Sequence, residues 1–214
     1  NPLCITVRPP LELKLGGENL NSFVNSGFEH LHVTPNKSVM RDLNFLGFKY
    51  MGFPYYGWLV SIFTSILNIA ASMNINLIIY AEDGEVEYGG STQTKNQPFF
   101  NTSYQKKIYF EGGYNKLIRK IKAKENEKYF FLFPKDKILK KIKTTHWSYF
   151  ENWDPYRNYM FAKKNSGLLE ENESNIGTFT NFAQNDQSLF SLHMYLMYLK
   201  FGFGRATQDA GIEI

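Results

Sequence analysis

Ile75-Asn-Leu-Ile-Ile-Tyr80-Ala-Glu-Asp-Gly-Glu-Val-Glu-Tyr-Gly-Gly90 is the stretch on which the fold turns. The apolar, β-branched run from Ile75 to Ile79 reads as a buried strand. Four carboxylates, Glu82, Asp83, Glu85 and Glu87, follow within six residues, and a glycine pair closes the string. In open α/β sheets, ligands occupy the crevice beyond the carboxyl ends of the strands. An acidic loop there suits metal binding, proton transfer or recognition of substrate hydroxyls and amides. The competing reading is a solvated acidic turn.

Upstream of that strand, residues 58–73 are the most apolar window of the chain, too short and too polar for a membrane span. Ser61, Ser65, Asn68 and Ser72 recur at helical spacing, which predicts a buried helix with a narrow polar stripe. Leu3–Val7 reads as a strand ended by Arg8-Pro9-Pro10, and 30–33 as a second short strand. Helices are expected over 18–25, with Gly27 as the stop, and over 38–48, with Ser38 near the cap. Downstream, 91–103 reads as a loop, 114–123 and 135–142 as helices, and 145–150 as a strand. Pro155 opens a helix to 165 with Asp154 as its cap, and 185–200 forms an apolar helix ended by Gly202. Strands alternating with helices imply βαβ crossovers and a parallel sheet. The expected class is therefore α/β, with 1–150 as the sheet domain and 151–214 as a helical segment completing the substrate site.

The chain has 214 residues, enough for a sizeable core. Its single cysteine, Cys4, excludes an intrachain disulfide and a cysteine-rich zinc site, and fits a reducing cytoplasm. There is no initiator methionine, and the first residues already look like a strand, so the sequence reads as a fragment of a longer protein. Net charge is +4, but residues 106–143 hold 13 Lys or Arg against four acids. Such a run is read as a solvated helical surface, a docking face for an acidic partner, or a nucleic-acid contact.

Four further strings stand beside the acidic loop: Val7-Arg-Pro-Pro10, Phe53-Pro-Tyr-Tyr-Gly-Trp58, Tyr149-Phe-Glu-Asn-Trp-Asp-Pro-Tyr156 and Phe201-Gly-Phe-Gly-Arg-Ala-Thr-Gln-Asp209. With Tyr80–Gly90, they resemble the N-acetyl sugar amidotransferase family. These are ATP-pyrophosphatase-loop enzymes of bacterial surface-glycan biosynthesis, including lipopolysaccharide O-antigen and the pseudaminic acid of glycosylated flagellin. The resemblance covers nearly the whole chain. It implies a Rossmann-like, parallel-sheet fold of the adenine-nucleotide alpha-hydrolase kind. It also implies conversion of an acetamido group on an activated sugar to an acetamidino group. ATP with Mg²⁺ activates the amide oxygen. Ammonia from a glutamine amidotransferase partner, with a cyclase-like companion, then displaces AMP.

Carried over by position, the resemblance implies that Glu82, Asp83, Glu85 and Glu87 serve catalysis, with Glu85 and Glu87 holding Mg²⁺. Arg205, Thr207, Gln208 and Asp209 would face the sugar, and Val7 and Arg8 would border adenine. The family's Ser-Gly-Gly-Lys-Asp-Ser phosphate loop does not occur in this sequence. The fold is therefore expected to be incomplete at its N-terminus, with a vacancy in the sheet and little ATP affinity by itself.

The histidines carry no metal-triad spacing. His146 is read at a strand start, and His193 as a core residue of an apolar helix. Two alternatives come from other classes. One is a lysine-rich RNA-binding module, related to tRNA-modifying members of the same superfamily, although arginine is scarce and no RNA motif is present. The other is a noncatalytic scaffold that docks the glutaminase. The expected protein is cytoplasmic, with no membrane association and no nucleic-acid partner.

Overall fold

The computed structural model describes residues 2–82, 97–174 and 177–213. In chain order the elements are β1 (Leu3–Val7), α1 (Lys14–Asn25), β2 (Glu29–Val33), α2 (Lys37–Met51), α3 (Tyr56–Ser72) and β3 (Leu77–Tyr80). Then come α4 (Thr102–Tyr104), a π-helical turn (Gln105–Tyr109), α5 (Tyr114–Ile118), a 3-10 turn (Tyr129–Phe131), α6 (Asp136–Leu139) and β4 (Lys143–His146). A second 3-10 turn (Trp147–Tyr149), α7 (Pro155–Ser166), α8 (Leu189–Phe201) and α9 (Arg205–Glu213) follow. The class is mixed α/β. Among the described residues, the strands pair in parallel as two two-stranded sheets, β1 with β2 and β3 with β4. No helix among them is long and apolar enough to cross a membrane.

Several boundaries differ from expectation for local reasons. Asn36, not Ser38, caps α2: its Oδ1 accepts from the amides of Ser38 and Val39 at 3.0 and 3.1 Å. Helix α1 starts at Lys14 and runs through Gly16, where an added Cβ would meet the Asp186 Cα at 2.5 Å. Helix α8 starts later than expected because the chain before it bridges to residues 11–13, with Leu13 N donating to Asp186 O and Ser188 N to Leu11 O. Strand β4 ends at His146, where the 3-10 turn begins, so most of the expected strand is not one. The cap on α7 is as expected, with the Asp154 carboxylate accepting from Arg157 N at 2.8 Å.

The chain divides into two compact units, each discontinuous in sequence. The first contains Asn1–Thr34, Asn44–Trp58 and Asp154–Ile214. Its strands β1 and β2 run in register from Leu3↔Glu29 to Val7↔Val33, with α1 as the crossover. The Asn19 side chain ties α1 to the stretch after α7, donating to Leu169 O and accepting from Leu169 N. The core of this unit includes Val7, Val33, Phe53, Tyr56, Phe190 and Met194.

The second unit contains Pro35–Leu43 and Leu59–Trp153. Val60, Phe63, Leu67 and Ala70 of α3 form its centre with Phe110, Leu117 and Phe131. Of the polar stripe on α3, Ser61, Ser65 and Asn68 are buried too and Ser72 is exposed; with Thr64 beside them, the buried members meet a turn rather than water. Thr64 Oγ1 donates to Phe130 O at 2.6 Å, and Asn68 Nδ2 donates to Leu132 O at 2.8 Å. Carbonyls left over by the short 3-10 turn at 129–131 thus find donors in the helix, as buried backbone groups require.

Candidate functional site

Strand β3 alternates: Ile78 and Tyr80 are buried, while Leu77 and Ile79 are about half exposed. The run read as fully buried is thus covered on one face among the described residues. In β4, Thr144, Thr145 and His146 are all buried. The parallel register pairs Tyr80 with His146, so the two side chains stand at the carboxyl ends of neighbouring strands, rings 5.5 Å apart. The expectation that His146 opens a strand is corrected: it closes one.

Aromatic rings enclose this end of the sheet. Phe100 stacks on His146 at 4.9 Å, and Phe63 lies 4.9 Å from Tyr80. From the π-helical turn, Tyr109 brings its hydroxyl to 3.2 Å from His146 Nε2. Burial pushes the His146 imidazole down to about 4, so it is neutral at pH 7. The Tyr80 hydroxyl is raised well above the ordinary phenol range, by burial first and then by Glu82 and Tyr109. That hydroxyl is buried with no hydrogen-bond partner among the described residues. Glu82 is half-buried two residues past the strand end.

Neither a scan against protein-family models nor a search of curated proteins returns a match for this chain. The site holds a neutral imidazole with a phenol bonded to it, a second phenol with an unmet hydroxyl, and a carboxylate at the mouth.

Of the acidic string, only Glu82 falls within the described residues; Asp83, Glu85 and Glu87, with the Mg²⁺ expectation for the last two, lie outside them. Glu82 supplies one hard oxygen donor of the kind Mg²⁺ prefers. The remaining residues singled out in the sequence belong to the other compact unit. Val7 is buried, and its carbonyl accepts from Trp58 Nε1 at 3.0 Å. Arg8 follows at the carboxyl end of β1, with its guanidinium paired to Glu12 at 2.8 Å. Arg205 and Asp209 pair with each other across one turn of α9 at 2.5 Å, and Thr178 Oγ1 donates to the other Asp209 oxygen. Thr207 is exposed and Gln208 half-buried.

Sequence reasoning missed His146 and Tyr109. His146 sits in a Thr-Thr-His-Trp run that does not reveal where the strand stops. Tyr109 lies in the basic stretch, and nothing local to it points to a partner 37 residues away.

Proposed function

We propose that this chain belongs to an ATP-dependent amidotransferase that converts an acetamido group of an activated sugar to an acetamidino group. The observation that carries this reading is the position of Glu82. The acidic string starts where a parallel strand, paired with a second one, presents its carboxyl end. The strings Glu-Asp-Gly-Glu-Val-Glu-Tyr-Gly-Gly and Gly-Phe-Gly-Arg-Ala-Thr-Gln-Asp support the same family.

The amide oxygen is a poor leaving group, so ATP supplies its activation and pyrophosphate leaves. Ammonia adds to the activated carbon, loses a proton, and AMP departs. In this reading Glu82 and the carboxylates after it position Mg²⁺ and the sugar. His146, neutral and held by Tyr109, gives the strand ends an uncharged polar group beside the carboxylates. Arg205, Thr207, Gln208 and Asp209 lie in the segment assigned to the sugar, and Val7 and Arg8 in that assigned to adenine. The exposed lysines of 106–143 form the face for the ammonia-supplying glutamine amidotransferase and its companion.

The test is mass spectrometry of nucleotide-linked acetamido sugars incubated with the intact protein, phosphate loop included, ATP, Mg²⁺ and ammonium. Replacement of oxygen by NH, with AMP formed in equal amount and lost in Glu82→Gln, is the expected result. AMP formation without a modified sugar, or full turnover in Glu82→Gln, would remove the acidic string from the mechanism.

A further inference from the structure

Helix α8 is apolar on both sides. Its inner side is accounted for: Phe190 and Met194 are buried, and the His193 ring lies 4.8 Å from Phe53 and 4.6 Å from Tyr55. On the other side, Leu192, Tyr195, Tyr198 and Leu199 recur at helical spacing and are 40, 60, 56 and 60% exposed. From Leu189 to Leu199 there is no Asp, Glu, Lys or Arg. A surface helix ordinarily carries charges on its outward side, and one that is apolar all round belongs inside protein or lipid. Contiguous exposed apolar area of this kind marks a contact site. The end of α2 adjoins the end of α8, where Lys200 Nζ donates to Met51 O at 3.3 Å. This brings Lys49 and Tyr50, both exposed, to the same end of the first compact unit.

Charge decides what covers this side. Residues 43–58 and 189–204 contain Lys49 and Lys200 and no aspartate or glutamate. A second copy would meet the patch with the same two cations and no acid to pair them. An anionic bilayer meets them with opposite charge. It also takes leucine and tyrosine together, with leucine carbons at the acyl boundary and tyrosine hydroxyls among the headgroups. Lysine stems lie along such a boundary with their ammonium groups in the headgroup layer. We propose that the outward side of α8, with Lys49 and Lys200 at its end, rests on an anionic membrane surface. No helix among the described residues is long and apolar enough to cross a bilayer, so the contact is peripheral. It departs from the expectation of no membrane association, which rested on the lack of a spanning segment. It requires no turnover and stands apart from the amidotransferase reading.

The experiment is flotation of the full chain with vesicles of phosphatidylcholine alone, or of phosphatidylcholine mixed with phosphatidylglycerol. Retention on the mixed vesicles, falling as salt rises and weak on the neutral ones, is expected. The double variant Tyr195→Glu/Leu199→Glu should weaken it about tenfold or more, with thermal unfolding unchanged because both positions are exposed. Lys49→Glu leaves the apolar side intact and should also lower retention on the mixed vesicles. Analytical ultracentrifugation without lipid reads the rival occupant. A dimer that the double variant dissociates would assign this side to a second copy and overturn the proposal. So would no retention, equal retention on both kinds of vesicle, or retention that survives the double variant.

Discussion

The Tyr109 hydroxyl lies 3.2 Å from His146 Nε2, joining the π-helical turn of the basic stretch to the last residue of β4. This places an imidazole in a nearly dry, aromatic setting. His193 in the other unit is in a similar position, its ring 4.8 Å from Phe53 and 4.6 Å from Tyr55. Burial pushes it down to about 4, helped by Lys200 and Arg205. Both folded values lie below the ordinary histidine value of 6.5. The unfolded chain therefore binds protons that the folded chain refuses, and stability must fall as pH drops from about 6.5 towards 4. Urea midpoints at about pH 7.5 and pH 4.5 should show the loss. His193→Phe, which keeps the ring stack and removes the titration, should reduce it. A midpoint flat across that window would contradict the buried, neutral state of both rings.

Gly47 lies inside α2, where glycine costs about 1 kcal/mol relative to alanine. It is retained because a Cβ there would meet the Tyr56 Cβ at 2.2 Å and the Phe53 carbonyl at 2.8 Å. Gly47→Ala should therefore destabilise by about 1–3 kcal/mol, against its helix propensity. Gly17→Ala, with open space around it, is the control and should be neutral or stabilising. Calorimetry of the two variants compares them directly.

Arg205 stands in the first turn of α9, where a cation opposes the helix dipole. Its pairing with Asp209, both side chains roughly one-eighth exposed, offsets that penalty. Asp209→Asn should cost about 3 kcal/mol, because it removes the opposite charge from a largely buried ion pair. A double-mutant cycle with Arg205→Met should give a coupling above about 1 kcal/mol. Additive single effects would show that the pair contributes nothing.

Lys120, Lys122 and Lys124 are exposed, in the turn and irregular chain after α5 rather than on the longer helix expected, while Leu117, Ile118 and Ile121 beside them are buried. Reversing the three charges to glutamate should weaken co-elution with the proposed glutaminase partner, and should flatten the salt dependence of that complex. Ammonia-dependent turnover should be unchanged. Its loss would place these lysines at the substrate.

The local elements were legible in the sequence where a short-range rule decides them. The β-branched run of Leu3–Val7 became β1 with those bounds, and Asp154-Pro155 opened α7 as cap and first residue. The apolar window around Phe63 became the buried helix of the second unit. The acidic string was visible from composition, and its first member lies past a strand end, as the pattern implied. Other features depended on partners distant in sequence. Thr64 and Asn68 of α3 are buried because the carbonyls of a turn more than 60 residues away take their hydrogen bonds. The register Tyr80↔His146, which brings the histidine to a strand end beside the tyrosine ring, is set by pairing across 66 residues. Propensity, capping and periodicity act over one or two turns and can be read along the chain. Register, burial and unmet hydrogen bonds arise between segments, so they were decided only when the chain had folded.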